Sequence, residues 1–283
     1  MLPWRVRIAK GGGQGKECSG LGCGPLQTCA AKQVIIRVMG AIRVGIGGWT
    51  YAPWRGRFFP AGLPHARELA YAAERLSSIE INGTFYRHQT PASFAAWRDA
   101  VPDGFVFAVK AHRATTHGKA PAEAVARFLA SGVTELGDRL GPILWQFPYN
   151  RKFSPEALRD FLALLPAAHA GVALRHAVEA RHPSFATPEA QKLFRAAKVA
   201  AAIIDSDKQV LDLTLTAPFV YARLQRNQLA APEGYAADGL DDWAAKARTW
   251  ARAKGRDVFV YFIAGDKERA PDSAMAFMRR LSG

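Results

Sequence analysis

From Ile42 onward, short runs rich in β-branched and aromatic residues alternate with stretches whose apolar positions recur at helical spacing. "IRVGIG" (42–47) reads as a strand, and "HARELAYAAERL" (65–76) sets Leu69, Ala70, Ala73 and Leu76 on one helical stripe. "SSIEIN" (77–82) is a second strand, and "PASFAAWRDA" (91–100) a helix with proline near its first turn. "GFVFAVK" (104–110) is the third strand, before a mostly helical pattern over 121–140 with a break near Gly132. "GPILWQF" (141–147) is the fourth, and "SPEALRDFLALL" (154–165) opens on a serine cap and a proline. The second half repeats the pattern. Strands lie in "GVALRHAVEA" (171–180), "VAAAIID" (199–205), "PFVYARLQ" (218–225) and "DVFVYFIA" (257–264), and helices over 188–198, 240–254 and 271–281.

Eight strands, nearly all followed by helices, occupy 42–281. That predicts an α/β fold of the (β/α)8 TIM-barrel kind, whose usual length is about 250 residues. An open doubly wound sheet is the competitor. The strand count, and the lack of a Gly-rich dinucleotide turn after the first strand, favour the barrel.

Barrel enzymes carry their sites at the carboxyl ends of the strands, and unusual polar residues gather there. Glu80 and Asn82 end the second strand, Lys110 the third, Gln146 the fourth, and Glu179 and Arg181 the fifth, with His182 next. Asp205 ends the sixth strand and Arg223 the seventh. Side chains alternate along a strand, so Glu80 shares a face with Asn82, and Glu179 with Arg181. An ionised carboxylate against the helix layer costs several kcal/mol unless paired. An inward direction at the open mouth is cheaper, and "VEARHPSF" (178–185) reads as the rim of such a mouth.

Each of these residues has a plainer reading. Glu179 and Arg181 serve equally as a structural ion pair, Lys110 as a chain reaching solvent, His182 as the hydrogen-bonding residue of a turn, and Asp205 as the start of a loop. The loop "WTYAPWRGRFFP" (49–60) suits ring stacking at Trp49 and Tyr51, and packing at Phe58 and Phe59. His112 and His117, five apart, suit no helical metal pair, so no metal and no cofactor are expected.

Composition adds three bounds. The chain has 283 residues, 49% of them apolar, enough for a sizeable core. Its clean apolar runs, such as Val199 to Ile204, fall far short of the roughly 18 residues of a membrane span, so a soluble, cytoplasmic protein is expected, without a membrane partner. Residues 1–38 are glycine-rich, hold all three cysteines, and carry six Lys/Arg against Glu17 alone. They are expected to be a disordered extension, or to lie upstream of a natural start at Met39, ahead of a single barrel domain over 39–283. Subtracting the segment's +5 from the chain's +14 leaves the body at +9.

Five stretches together bear a likeness to a known family: "GIGGWTYAPWRGRFFP", "SSIEINGTFYRHQTPASFAAW", "FVFAVKAHRATTH", "LGPILWQFP" and "VEARHPSF". In order and spacing the chain resembles the YecE-like family, the domain of unknown function 72, over about residues 42 to 270. The resemblance implies a (β/α)8 barrel and implies no activity. The matching positions include Trp49, Glu80, Asn82, Tyr86, Lys110, Glu179, Arg181, His182, Asp205 and Arg223. Two places depart from the family pattern. Gln225 stands where a histidine is frequent, and "FIAGDKERAP" lacks the adjacent asparagines often found after the last strand.

Three functions follow as expectations. The first is binding of, and action on, a phosphorylated or carboxylated small molecule. Lys110, Arg181 and Arg223 would hold the anion, Glu179 or Glu80 would be a base once burial raises its pKa, and Tyr86 would donate a hydrogen bond. Asn82, Trp49, His182 and Asp205 would complete the ligand contacts. The second is nucleic-acid binding or phosphodiester chemistry, suggested by the basic body and the aromatic loop. The third is metabolite binding without turnover. The sequence leaves the oligomeric state open.

Overall fold

The computed structural model describes residues 39–209 and 212–283. The extension expected over residues 1–38 lies outside them. Nine parallel segments form one sheet: β1 (Ile42–Gly47), β2 (Ser78–Ile81), β3 (Val106–Lys110), β4 (Leu140–Gln146), β5 (Arg175–Glu179), β6 (Ala200–Ala201), β7 (Ile203–Asp205), β8 (Phe219–Leu224) and β9 (Asp257–Phe262). Their order is β6-β5-β4-β3-β2-β1-β9-β8-β7. The segments at the two ends of that order, β6 and β7, are separated along the chain by Ala202 alone. They are two halves of one strand, the first paired with β5 and the second with β8. Through this strand the sheet returns on itself, giving the (β/α)8 barrel.

The helices are α1 (Glu68–Ala73), α2 (Gly83–Tyr86), α3 (Pro91–Asp99), α4 (Ala114–His117), α5 (Pro121–Leu129), α6 (Pro155–Ala163), α7 (Pro188–Ala196), α8 (Ala237–Arg252) and α9 (Ala270–Ser282). Three of them start by one device. Thr90, Ser154 and Thr187 each accept a backbone N–H two residues past the following proline, at Ser93, Ala157 and Ala190. A hydroxyl cap satisfies one orphan amide and contributes about 1 kcal/mol, while proline lacks the amide that would be orphaned beside it.

Strand alternation divides the core in two. Outward side chains such as Ile79, Phe107, Trp145 and Val220 pack beneath the helices. Inward ones, among them Val106, Ala108, Leu144, Ala177, Phe219, Tyr221, Phe259 and Tyr261, fill the barrel. Alanines at the inward positions leave room for four aromatic rings.

Some elements differ from their sequence reading. The fifth strand is confined to Arg175–Glu179, because the residues before it fold back as a hairpin, Ala168–His169 against Val172–Ala173. The helical pattern over 121–140 ends at Leu129, since Gly132 takes a left-handed φ of 95°. Two single-turn helices, α2 and α4, follow β2 and β3 and lacked an apolar repeat long enough to announce them.

Candidate functional site

The inner face of the barrel is apolar at mid-height and charged at its carboxyl end. Glu80 follows Ser78, Lys110 follows Ala108, Gln146 follows Leu144, Glu179 follows Ala177, and Arg223 follows Tyr221, each two residues on and therefore on the same face. Strands distant along the chain thus deliver their last inward side chains to one level. All five are buried, with Glu80 and Glu179 at 0% exposure.

Two buried carboxylates in one barrel would cost several kcal/mol each without partners. Arg223 supplies most of the compensation. Its Nε and one terminal nitrogen donate to Glu80, both at 3.0 Å, and the other terminal nitrogen donates to Glu179. Such a bidentate fork is the strongest carboxylate pairing open to a side chain. Tyr221 donates its hydroxyl to Glu80 Oε2 at 2.6 Å, and Gln146 donates to Glu179 Oε2 at 2.9 Å. Arg181 donates Nε to Glu179 Oε1 at 2.7 Å and lays its guanidinium 4.5 Å from the Tyr149 ring centroid. Below this layer Tyr221 and Tyr261 sit 5.2 Å apart and close the floor, with Tyr261 bonded to Ser78 Oγ at 2.7 Å.

Burial alone would push the Glu179 carboxyl up. The charges of Arg223 and Arg181, with hydrogen bonds from Arg181 and Gln146, outweigh it and hold the group at about 2. The raised pKa expected of Glu179 as a base is therefore not found, because two guanidiniums stand against it. Tyr221 is shifted upward, by burial first and then by the adjacent Glu80 charge, and stays a donor.

Lys110 differs from its neighbours. Among the described residues its Nζ has no carboxylate within ion-pair distance and no hydrogen-bond partner, because Glu80 and Glu179 are already engaged. It sits 3.9 Å above the Phe85 ring instead. Local structure explains this position. Thr84 donates its hydroxyl to the Lys110 carbonyl at 2.6 Å, and the Arg113 amide bonds the Phe85 carbonyl, so α2 is tied across the end of β3. Burial, then repulsion from Arg223, lowers the Lys110 amine to about 8, with the two carboxylates pulling the other way.

The remaining predicted residues are dispersed. Asn82 is half-buried at the end of β2 and donates to the Glu80 carbonyl. Tyr86 is 71% exposed on the rim beside Phe85. His182 caps the turn 183–185, accepting from the Ser184 amide. Trp49 packs edge-on to Trp97 at 5.3 Å and near Phe107, on the helix side of the barrel. Asp205 also faces the helix layer, where Tyr235, Trp243 and Arg226 hold it. The sequence reading places Gln146 at a strand end and Phe85 within a motif but gives neither a role, and it leaves out Tyr221 and Tyr149. Tyr221 carried a usable signal: it lies two positions before Arg223 and so points the same way.

Beside the mouth, β5 and β7 part above Ala202, and a cleft of about 230 Å³ opens there. Arg181, His182, Ile204, Lys208 and Gln209 line it. No three His, Cys, Asp or Glu side chains among the described residues are grouped to hold a metal ion. No helix among them is long and apolar enough to cross a membrane.

A closed ring of parallel strands with a charged, side-chain-built cup at its carboxyl end defines a (β/α)8-barrel protein with one candidate site at the mouth. The family model of "Protein of unknown function DUF72" matches residues 43–283, and the chain belongs to that family. Similar solved structures carry the same fold. A DUF72 family protein from Thermotoga maritima MSB8 (TM1631) is 24% identical, with a TM-score of 0.73, covering 86% of this chain and 100% of that one. A DUF72 family protein from Enterococcus faecalis V583 (EF0366) is 18% identical, with a TM-score of 0.67, covering 86% and 96%. No curated protein matches the chain.

Proposed function

We propose that the mouth binds an anionic small molecule, phosphorylated or carboxylated, with Lys110 and Arg181 as the cations that touch it. The observation behind this reading is an imbalance of charge. Three cations, Lys110, Arg181 and Arg223, face two carboxylates, and Arg223 is fully committed to both of them. Arg181 bonds Glu179 through Nε, and its terminal nitrogens have no hydrogen-bond partner among the described residues. A lysine and half a guanidinium are left to meet a ligand, and both are strong partners for phosphate or carboxylate oxygens. Asn82, just before α2, and Tyr86, at its end, supply rim contacts. Glu80, Glu179 and Arg223 form the rigid platform beneath.

The nucleic-acid reading draws on the chain's basic excess. That excess also lies on the outer layer, at exposed Arg195 and Arg252 on helices and Lys198 in the turn after α7, and so does not mark out a track across the mouth.

Titration calorimetry with inorganic pyrophosphate tests the proposal. Lys110→Met and Arg181→Ala are expected to weaken binding tenfold or more with unchanged circular dichroism. Binding should weaken as pH rises through about 8, where Lys110 loses its charge. Equal affinity in wild type and both variants overturns the assignment.

A further inference from the structure

We infer that Lys110 is a carbonyl-reactive amine, condensing with an anionic aldehyde or ketone in the mouth to form an imine. This rests on the anion-binding reading and deepens it by naming the substrate class: a carbonyl compound bearing phosphate or carboxylate. Three structural facts carry it. Lys110 is the one buried lysine among the described residues. Among the described residues its nitrogen is left unpaired although two carboxylates lie close, because Arg223, Tyr221, Gln146 and Arg181 already occupy their oxygens. Its other neighbour is the Phe85 ring, whose face attracts the ammonium weakly but offers no carboxylate or carbonyl oxygen as acceptor, so the lone pair is unobstructed once the proton leaves.

A merely electrostatic lysine would gain from a carboxylate partner, and an imine-forming one is obstructed by it, since the nitrogen lone pair must be free to attack. The balance is simple. The neutral amine adds to the carbonyl carbon, breaking the C=O π bond, and the carbonyl oxygen is protonated. The nitrogen then forms a C=N bond as that oxygen departs. The two hydrogens lost from the amine leave in one water molecule, with solvent at the mouth relaying protons. No oxidant or reductant is consumed. Arg181 would hold the anionic group and so fix which carbonyl compounds enter.

The charged and titratable groups around the amine come from four elements: Glu80 on β2, Glu179 at the end of β5 with Arg181 just beyond it, Arg223 on β8 and His117 on α4. Together with burial they leave Lys110 at about 8, so roughly one-tenth of it is neutral at pH 7. For an ordinary lysine near 10.4 the neutral share is under about one in a thousand.

Glyoxylate, which joins an aldehyde to a carboxylate, with cyanoborohydride as the trapping reductant, tests this on the folded full-length chain. Peptide mapping should find a carboxymethyl group on Lys110 formed about tenfold or more faster than on exposed Lys192 and Lys254. Its rate should level off above pH 8 while theirs keeps climbing. Lys267 is the stringent control, since burial lowers its pKa beside the Tyr51 and Trp54 rings. Pyrophosphate should protect Lys110 and leave Lys267 unaffected. Lys110→Arg should show no adduct at position 110 while labelling of Lys192 and Lys267 stays as in wild type. Labelling of Lys110 no faster than of Lys192 overturns the inference, and calorimetry with pyrophosphate then judges the anion reading by itself. Fast labelling that propionaldehyde reproduces equally, without pyrophosphate protection, overturns the anionic substrate class and leaves the reactive amine standing.

Discussion

Two buried carboxylate sites lie at the ends of neighbouring strands and resolve the same problem differently. Asp205, at the end of β7, turns outward beneath α8. Its Oδ2 accepts from Trp243 Nε1 at 2.9 Å and from the Tyr235 hydroxyl, and Arg226 Nε lies 3.1 Å from Oδ1. Two of the three donors are neutral, Arg226 is shared with exposed Asp207, and no cation there stands without a carboxylate. At the barrel mouth Glu80 and Glu179 are held mainly by guanidiniums, and one amine has no partner among the described residues. Burial of polar groups is common to both places and so does not mark a site. A cation that the local carboxylates do not satisfy, at an open end of the barrel, is the distinguishing feature.

The largest test of that contrast is Arg223→Met. It strands two carboxylates in the barrel and should cost about 3–5 kcal/mol. Urea denaturation should show the loss, and a stability near wild type would mean that the platform has other support. Next comes Lys110→Met, with the opposite sign. The folded state holds this amine at about 8 against 10.5 ordinarily, so protonation favours unfolding. The penalty is full below pH 8, shrinks as pH rises, and is gone above about 10.5. Wild type should therefore gain stability between pH 8 and 10.5, and Lys110→Met, lacking the penalty, should be more stable by about 1–3 kcal/mol at pH 7 while losing pyrophosphate affinity. Equal stability of the two proteins across that range would remove the desolvated amine from the account.

Asp205→Asn sharpens the other side of the comparison. It keeps one acceptor and should cost about 1–2 kcal/mol in thermal unfolding. Pyrophosphate affinity should not move, and a tenfold loss would join the two sites. The smallest effect belongs to His182→Ala. Removing the cap on the turn 183–185 should cost about 0.5–1 kcal/mol and leave pyrophosphate binding at the mouth unchanged.

The strand ends were legible because alternation in strands needs no partner to be read. Glu80, Lys110, Glu179 and Arg223 could each be placed on an inward face from their own segments. Asp205 was not, because its direction depends on the frame of the split sixth strand, in which Ala202 and Ile204 are offset by one residue from Ile203 and Asp205. Trp49 lies in a loop where alternation does not apply, and packing against Trp97 decided its place. Phe85 lies within one of the motif stretches, yet its place under Lys110 depends on a single-turn helix whose anchors are backbone carbonyls.

What the sequence alone determined is the ring of strands and the level at which charge collects, since periodicity and the order of segments are properties of the chain itself. Which charges meet was decided only in three dimensions. Arg223 reaches Glu80 across 143 positions and Glu179 across 44, and strand register around the barrel sets both distances. Lys110 is left over for the same reason: a guanidinium can bond two carboxylates at once, and only the closed barrel brings both within its reach.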